Sequence, residues 1–326
     1  MNEKKYDYII VDTNLWYHRN YSIHKDLTFK VGEKSIVTGG IWGFLNSLGK
    51  WKRDFAHENT KFYFLFDNAT SKSNVRNLLI DPSYKMNRKK MPDSFYRGLD
   101  FLRLILMHED DRFFTVYGTG YEADDIAPYV INKIAKDDSD ILVISEDLDW
   151  ARLIEKNVDM YMKKDIYDKK KFYQKYEFYP GKDSVTLYKV IRGDNVDDIP
   201  IGLPNFSKKN LIRLVHDYKT IFDVIENLDI IPYLNDMWKS RFLENKSRLI
   251  LNHRLVTFFP IDESIMPQFI TQSKRQEEIL EKFYNILGFD IYKVDKNLYN
   301  YIEERESKKK GFNGFFRPPS MKRVLK

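Results

Sequence analysis

The stretch YDYIIVD, Tyr6–Asp12, decides how the rest of the chain is read. A short apolar run leads straight into a carboxylate, the pattern of a buried strand with an acid at its carboxyl end. Three further runs repeat it. KFYFLF (61–66) ends in Asp67, and FFTVY (113–117) turns into Glu122, Asp124 and Asp125. ILVIS (141–145) is followed by Asp147 and Asp149, and a fifth run, VDMYM (158–162), is expected to pair at the sheet edge. Between these runs Ile41, Phe44, Leu45, Leu48 and Trp51 share one helical face, as do Phe95, Leu99, Leu102 and Leu106, and later Ile126, Val130, Ile131 and Ile134. Strands alternating with helices predict an α/β fold, a parallel sheet covered on both faces and built from right-handed crossovers.

The bulk numbers agree with a globular protein. The chain has 326 residues, 43% hydrophobic and 15% aromatic, enough for a substantial core. No apolar run approaches the ~20 residues of a membrane span. The opening MNEKKYDYIIVD enters a strand without the apolar region of a signal peptide. Zero cysteines exclude a disulfide framework and thiolate zinc sites, and fit a cytoplasmic setting. Six scattered histidines show no ligand spacing. The net charge of +6 leans toward polyanionic partners, and its distribution says more than its sum. Acids sit beside apolar runs, while Lys and Arg gather in KMNRKK (85–90), in KDKKKFYQK and in the tail.

Two segments break the alternation. Residues 68–93 are polar, basic and interrupted by prolines, which marks a long functional or disordered connection. After about residue 183 strand signals stop and helical patterns run to 305, followed by the basic tail ESKKKGFNGFFRPPSMKRVLK. The expected organisation is an α/β core over 1–185, a helical region over 186–305 and a flexible tail over 306–326. Phe312, Phe315 and Phe316 in that tail either dock in a partner's groove or fold back on the core.

Ligand sites in open parallel sheets lie at the carboxyl ends of strands. One acidic cluster such as EADD could simply complement a helix dipole, and aspartates are common in turns and caps. All four major strands, however, deliver carboxylates to one edge, where like charges resist ionisation unless cations compensate. An all-oxygen donor set favours Mg²⁺, with Mn²⁺ able to substitute. Two such ions ~3.5–4 Å apart clamp the attacking and leaving oxygens of a phosphodiester. Pro128 removes a hydrogen bond to the Asp124 carbonyl, so the first turn of that helix is expected to be distorted.

VIRGDNVDDIPIGLPNFSKKNLIRLV then supplies Asp194, Asp197 and Asp198 ahead of a turn-rich stretch. IGLPNFSKK reads as a hairpin between two helices, with Gly202 and Asn205 able to adopt left-handed backbone and Ser207 able to cap the next helix. Its backbone N–H groups, with Lys208 and Lys209, can grip a DNA phosphate; the packing alternative stays open.

Taken in order, VDTN, FDN, YKMNRKK, YEADD, ISEDLDW and GDNVDDIPIGLPNFSKK resemble the 5′-nuclease (flap endonuclease) superfamily over roughly residues 6–220. The likeness looks closest to phage-encoded members, including those called phage ribonuclease H. It implies a PIN-like α/β nuclease core, a helical arch at about 68–93, and a helix-hairpin-helix at about 194–216 that holds duplex DNA. Asp12, Asp67, Glu122 and Asp124 match acids around a first metal, with Asp125 a neighbouring acid. Asp147, Asp149 and Asp194 match those around a second, with Asp197 at a further acidic position. Tyr84, Lys85 and Arg88 fall where the family places groups that meet the scissile phosphate and 5′ end. The family hairpin reads G-x-x-G-I-G-x-K, and here Asn205 and Ser207 replace two of its glycines.

The resemblance therefore implies a Mg²⁺-dependent 5′-3′ exonuclease and flap endonuclease. Its partners would be nicked or branched DNA and RNA–DNA hybrid, with replication primer removal or repair as its setting. A monomer is expected, with a sliding clamp or single-strand-binding protein as tail partners. The alternatives are a non-catalytic binder of branched nucleic acid and a PIN-type ribonuclease. A phosphatase with an aspartyl nucleophile needs a second acid after the first strand, and Asp12-Thr13-Asn14 lacks it.

Overall fold

A computed structural model, which describes residues 4–31, 34–68, 73–136 and 138–289, places the opening stretch at the centre of a sheet. The strands and helices of the first half are β1 (Tyr6–Asp12), α1 (Thr13–Ile23), β2 (Thr28–Val31), β3 (Lys34–Val37), α2 (Gly39–Phe55), β4 (Ala56–Asn68), α3 (Val75–Leu79), α4 (Asp93–Glu109), β5 (Phe113–Thr119) and α5 (Ala123–Tyr129). The second half continues with β6 (Ile141–Ile144), β7 (Val158–Met162), β8 (Asp165–Tyr167), α6 (Lys169–Tyr176), α7 (Lys182–Arg192), α8 (Lys208–Asp217), α9 (Ile221–Glu226), α10 (Asp236–Glu244) and α11 (Lys246–Val256). It closes with α12 (Met266–Phe269), β9 (Ile270–Gln272) and α13 (Glu277–Leu287).

The main sheet runs β8-β7-β6-β1-β4-β5-β9, with β2 and β3 forming a separate hairpin. The strands from β7 to β5 are parallel, and β8 and β9 close the two edges antiparallel. The chain leaves β1 toward β4 and β5, then returns to the other side of β1 as β6. The topological switch therefore lies between β1 and β6, where the carboxyl ends carry Asp12 and Ser145. Two details differ from the sequence reading. VDMYM lies one strand inside the edge, because the tripeptide Asp165–Tyr167 pairs beyond it. Ile270–Gln272 returns to the sheet beside β5, although strand signals end near residue 183.

Each face of the sheet buries its own core. One holds Ile9, Val11, Phe62 and Phe64 against the Phe44, Leu48 and Trp51 face of α2, Leu102 and Leu106 of α4, and Leu280 and Tyr284 of α13. The other packs Ile10, Val143 and Met160 against Ile126 of α5, Val190 of α7, Leu211 of α8 and Leu249 of α11. Burying one such aliphatic side chain contributes about 1.5–3 kcal/mol, so both helical layers are fixed to the strands that carry the acids. Pro128 sits inside α5, and directly after it Val130–Ile134 widens into a π-helical turn, a local form often found beside functional sites. Among the described residues no helix is long and apolar enough to cross a membrane.

Candidate active site

The acid-bearing strand ends converge on one edge, and local geometry explains how each side chain is aimed. Asp12 caps α1 by accepting from the Leu15 N–H (3.3 Å), and it accepts from the Ser145 hydroxyl at 2.8 Å. Asp67 accepts from the Ala123 N–H at 2.7 Å, tying the end of β4 to the start of α5. Asp147 accepts from the Asp149 N–H at 3.0 Å and begins a short 3₁₀ turn, Leu148–Leu153. Asp194 accepts from the Val196 N–H at 2.9 Å just after α7. Among the described residues two groups of carboxylates come close enough to hold an ion, Glu122 with Asp124 and Asp125, and Asp149 with Asp194 and Asp197.

Buried acids this close disturb one another. Burial, then the charge of Asp67, pushes Asp12 up to about 8. Burial and Asp149 lift Asp147 to about 6. Burial and Glu122 raise Asp67, and burial and Asp125 raise Asp124. Glu122 goes the other way. Burial opposes its ionisation, yet Lys85 at 2.6 Å and Arg76 at 3.3 Å outweigh it and hold the carboxyl near 2. Burial likewise opposes ionisation of Asp149, where Arg152 and Lys189 prevail and depress it.

The cations woven among these acids are partly those the sequence singled out and partly not. Lys85 reaches Glu122 and Asp197 (3.3 Å), and Arg88 reaches Asp197 at 2.5 Å. Lys189, unmarked in the sequence, bridges Asp149 and Asp194, and Arg152 pairs with Asp124 at 2.8 Å. Lys189 lies inside a helix whose apolar neighbours conceal it. Arg76 is 1% exposed and donates to Asp125 through both terminal nitrogens at 2.6 and 2.7 Å. It also donates to Glu122 and to the Leu255 and Thr257 carbonyls, binding α3 to the end of α11. In sequence it is one more cation in a basic segment.

Two sequence-predicted residues are already engaged by neighbouring side chains. Asp125 gives its carboxylate to Arg76 and to the Phe259 N–H (2.6 Å), which anchors α5, while it stays grouped with Glu122 and Asp124. Tyr84 is buried, 3% exposed, and its hydroxyl donates toward Glu122 (3.1 Å) and Asp197 (3.3 Å) in the acid band.

Beyond the acids the hairpin explains its own departures. Ser207 has φ −68° and caps α8 by accepting from the Asn210 N–H at 3.2 Å, so no left-handed residue is required there. Asn205 takes the left-handed turn at φ 65°. Gly202 is not left-handed; it is needed for space, since an added Cβ would lie 2.3 Å from the Val190 carbonyl oxygen. Gly202→Ala should therefore destabilise the fold by about 1–3 kcal/mol, read as a lower midpoint in denaturant. An unchanged midpoint would mean that this close approach is slack. Lys208 pairs with Glu177, while Lys209 is exposed.

Comparison with known proteins agrees with this geometry. Residues 7–177 match the family described as 5'-3' exonuclease, N-terminal resolvase-like domain. A 5'-3' exonuclease of Buchnera aphidicola subsp. Schizaphis graminum is 30% identical over 77% of this chain and 86% of its own length. One from Mycoplasmopsis pulmonis is 25% identical over 86% and 90%. Among solved structures, the bacteriophage T5 flap endonuclease in a pseudo-enzyme-product complex with DNA and metal ions superposes with a TM-score of 0.60. It is 18% identical, covering 86% of this chain and 97% of that one. The catalytic core of Rad2 in complex with DNA substrate gives 0.51 at 12% identity over 92% and 93%. The chain belongs to the 5'-3' exonuclease family.

Proposed function

We infer that the protein is a structure-specific 5′-3′ exonuclease and flap endonuclease that uses two divalent cations, Mg²⁺ by preference, to hydrolyse phosphodiesters at 5′ ends. The observation that carries this reading is the band of buried and half-buried carboxylates at the switch point, which outnumber the cations threaded among them. An excess of oxygen donors without His or Cys suits hard divalent ions, so the residues fit the group. Glu122 and Asp124, with Asp12 and Asp67 beside them, would hold one ion; Asp149, Asp194 and Asp197, beside Asp147, would hold the other. When bound, the ions supply a more acidic water and positive charge for the leaving oxygen.

The chain's own residues do the rest. Lys85 and Arg88, which reach the acids from the arch segment, are placed to turn their charge onto the substrate phosphate and its transition state. The hairpin at Gly202–Lys209, between α7 and α8, would hold duplex backbone through N–H groups and Lys209. Specificity would then come from shape, with RNA–DNA hybrids in primer removal accepted beside DNA. A cytoplasmic monomer suits this role; the tail expected to meet a clamp or single-strand-binding protein lies outside the described residues. Incubation with 5′-labelled flap, nicked duplex and RNA–DNA hybrid, each with Mg²⁺ or EDTA, tests the reading. Short labelled products that need Mg²⁺ are expected; tight flap binding without cleavage would favour a non-catalytic binder.

The raised acids also set a pH dependence. Asp12 and Asp147, near 8 and 6, hold protons in the folded metal-free protein that the unfolded chain releases near 4. The native state thus binds more protons over that window, and stability falls as pH rises from about 4 to 8. Glu122 acts oppositely, as does Asp110, where burial is outweighed by Arg112 and Lys52; both lie near 2, so their stabilisation is present above about 4 and is lost as pH falls toward 2. Cations must displace those protons, so the Mg²⁺-induced rise in Tm should be larger at pH 8 than at pH 6. Equal rises at both pH values would separate cation binding from these acids.

A further inference from the structure

The arch segment and the hairpin segment meet at a point outside the acid band. Residues 194–199 form a closed loop, with the Asp194 N–H donating to the Ile199 carbonyl (2.9 Å) and the Ile199 N–H donating back (2.8 Å). Asp194 and Asp197 face the site from this loop. Asp198, at φ 58°, is turned to the other side, where both carboxylate oxygens are taken by one residue of the arch segment. The Asn87 N–H donates to it at 2.8 Å and the Asn87 amide at 2.9 Å. The Lys85 N–H donates to the Asp197 carbonyl (3.3 Å), and Arg88 Nε to the Val196 carbonyl (3.4 Å).

The arch segment therefore touches this loop in two chemically distinct ways. Lys85 and Arg88 pair with carboxylates that divalent cations would claim, so those contacts compete with metal. The Asn87–Asp198 contact uses no carboxylate from either close acid group and survives that competition. We propose that Asn87 and Asp198 form a latch that holds the Tyr84–Arg88 turn at the rim of the site once cations have released Lys85 and Arg88. The two cationic side chains then move while their backbone stays. Because Ile199, Pro200 and Ile201 lead from Asp198 directly into the hairpin, the latch also registers the arch against duplex DNA held there. Both are positioning residues, and the inference rests on the nuclease reading above.

Single-turnover cleavage of a 5′ flap at saturating Mg²⁺ and enzyme tests this, with duplex affinity measured separately. Asp198→Ala should slow cleavage about tenfold and Asn87→Ala, which keeps its main-chain donor, by less, since small misplacement of a charged group is costly, with affinity within about twofold of wild type in both. The double variant should be no slower than Asp198→Ala, which already removes both hydrogen bonds, whereas Asn87→Ala leaves the main-chain one. Asp198→Asn, which can still pair with a flipped Asn87 amide, should recover most of the rate. Unchanged rates in both alanine variants, equal losses of rate and affinity, or additive losses would overturn the latch. Failure of the wild-type protein to cleave would instead strike the nuclease reading, so the two failures are distinguishable.

Discussion

Asp147→Asn is expected to abolish Mg²⁺-dependent cleavage while leaving the fold and flap binding intact. Asp147 opens the 3₁₀ turn through a hydrogen bond that an asparagine oxygen can also accept, so local structure survives the change. The lost feature is a buried negative charge among Asp12, Asp149 and Asp197. With Asp147 titrating near 6, that charge is present at neutral pH in the native protein. Losing one preorganised electrostatic group in a water-poor site costs on the order of 10²–10³-fold in turnover, and loss of a cation costs more. Single-turnover assays beside a binding titration give the answer. Turnover retained at saturating Mg²⁺ would remove Asp147 from the chemistry.

Lys85→Ala should lower turnover about 10²-fold with little change in duplex affinity. Lys85 lies over the Tyr84 ring at 4.8 Å and donates to Glu122, so its ammonium is held among the site acids. Burial opposes its charge, yet Glu122 and Asp197 raise its pKa well above the ordinary lysine value, so it is cationic throughout the working range. A loss shared equally between turnover and affinity would make Lys85 a phosphate anchor instead.

Much of the architecture was legible because its signals are local. An apolar run with an acid at or just past its end states both a strand and the edge where its acid falls: β1 and β4 carry the acid within the strand, and β5 and β6 within three residues of it. The separate edge strands were not legible. Ile270–Gln272 is three residues, two of them polar and exposed, and its pairing with β5 is a tertiary choice. The acids could be named without their directions: Asp124 and Asp125 are adjacent in sequence, yet one meets Arg152 and the other is consumed by Arg76 and Phe259. Arg76 and Lys189 were hidden by composition, the first among surface-type cations, the second in an apolar helix face. Ser207 shows the reverse case, where a departure from a familiar glycine pattern turns out to be an ordinary helix cap.

The central claim is that the acid band holds two divalent cations, and Mn²⁺ located by anomalous scattering in crystals of the protein tests it most directly. Two peaks a few ångströms apart are predicted, one beside Glu122 and Asp124 and one beside Asp149 and Asp194, with Lys85 drawn off Glu122. No peak at saturating Mn²⁺, with Lys85 and Lys189 still paired to their carboxylates, would contradict the account.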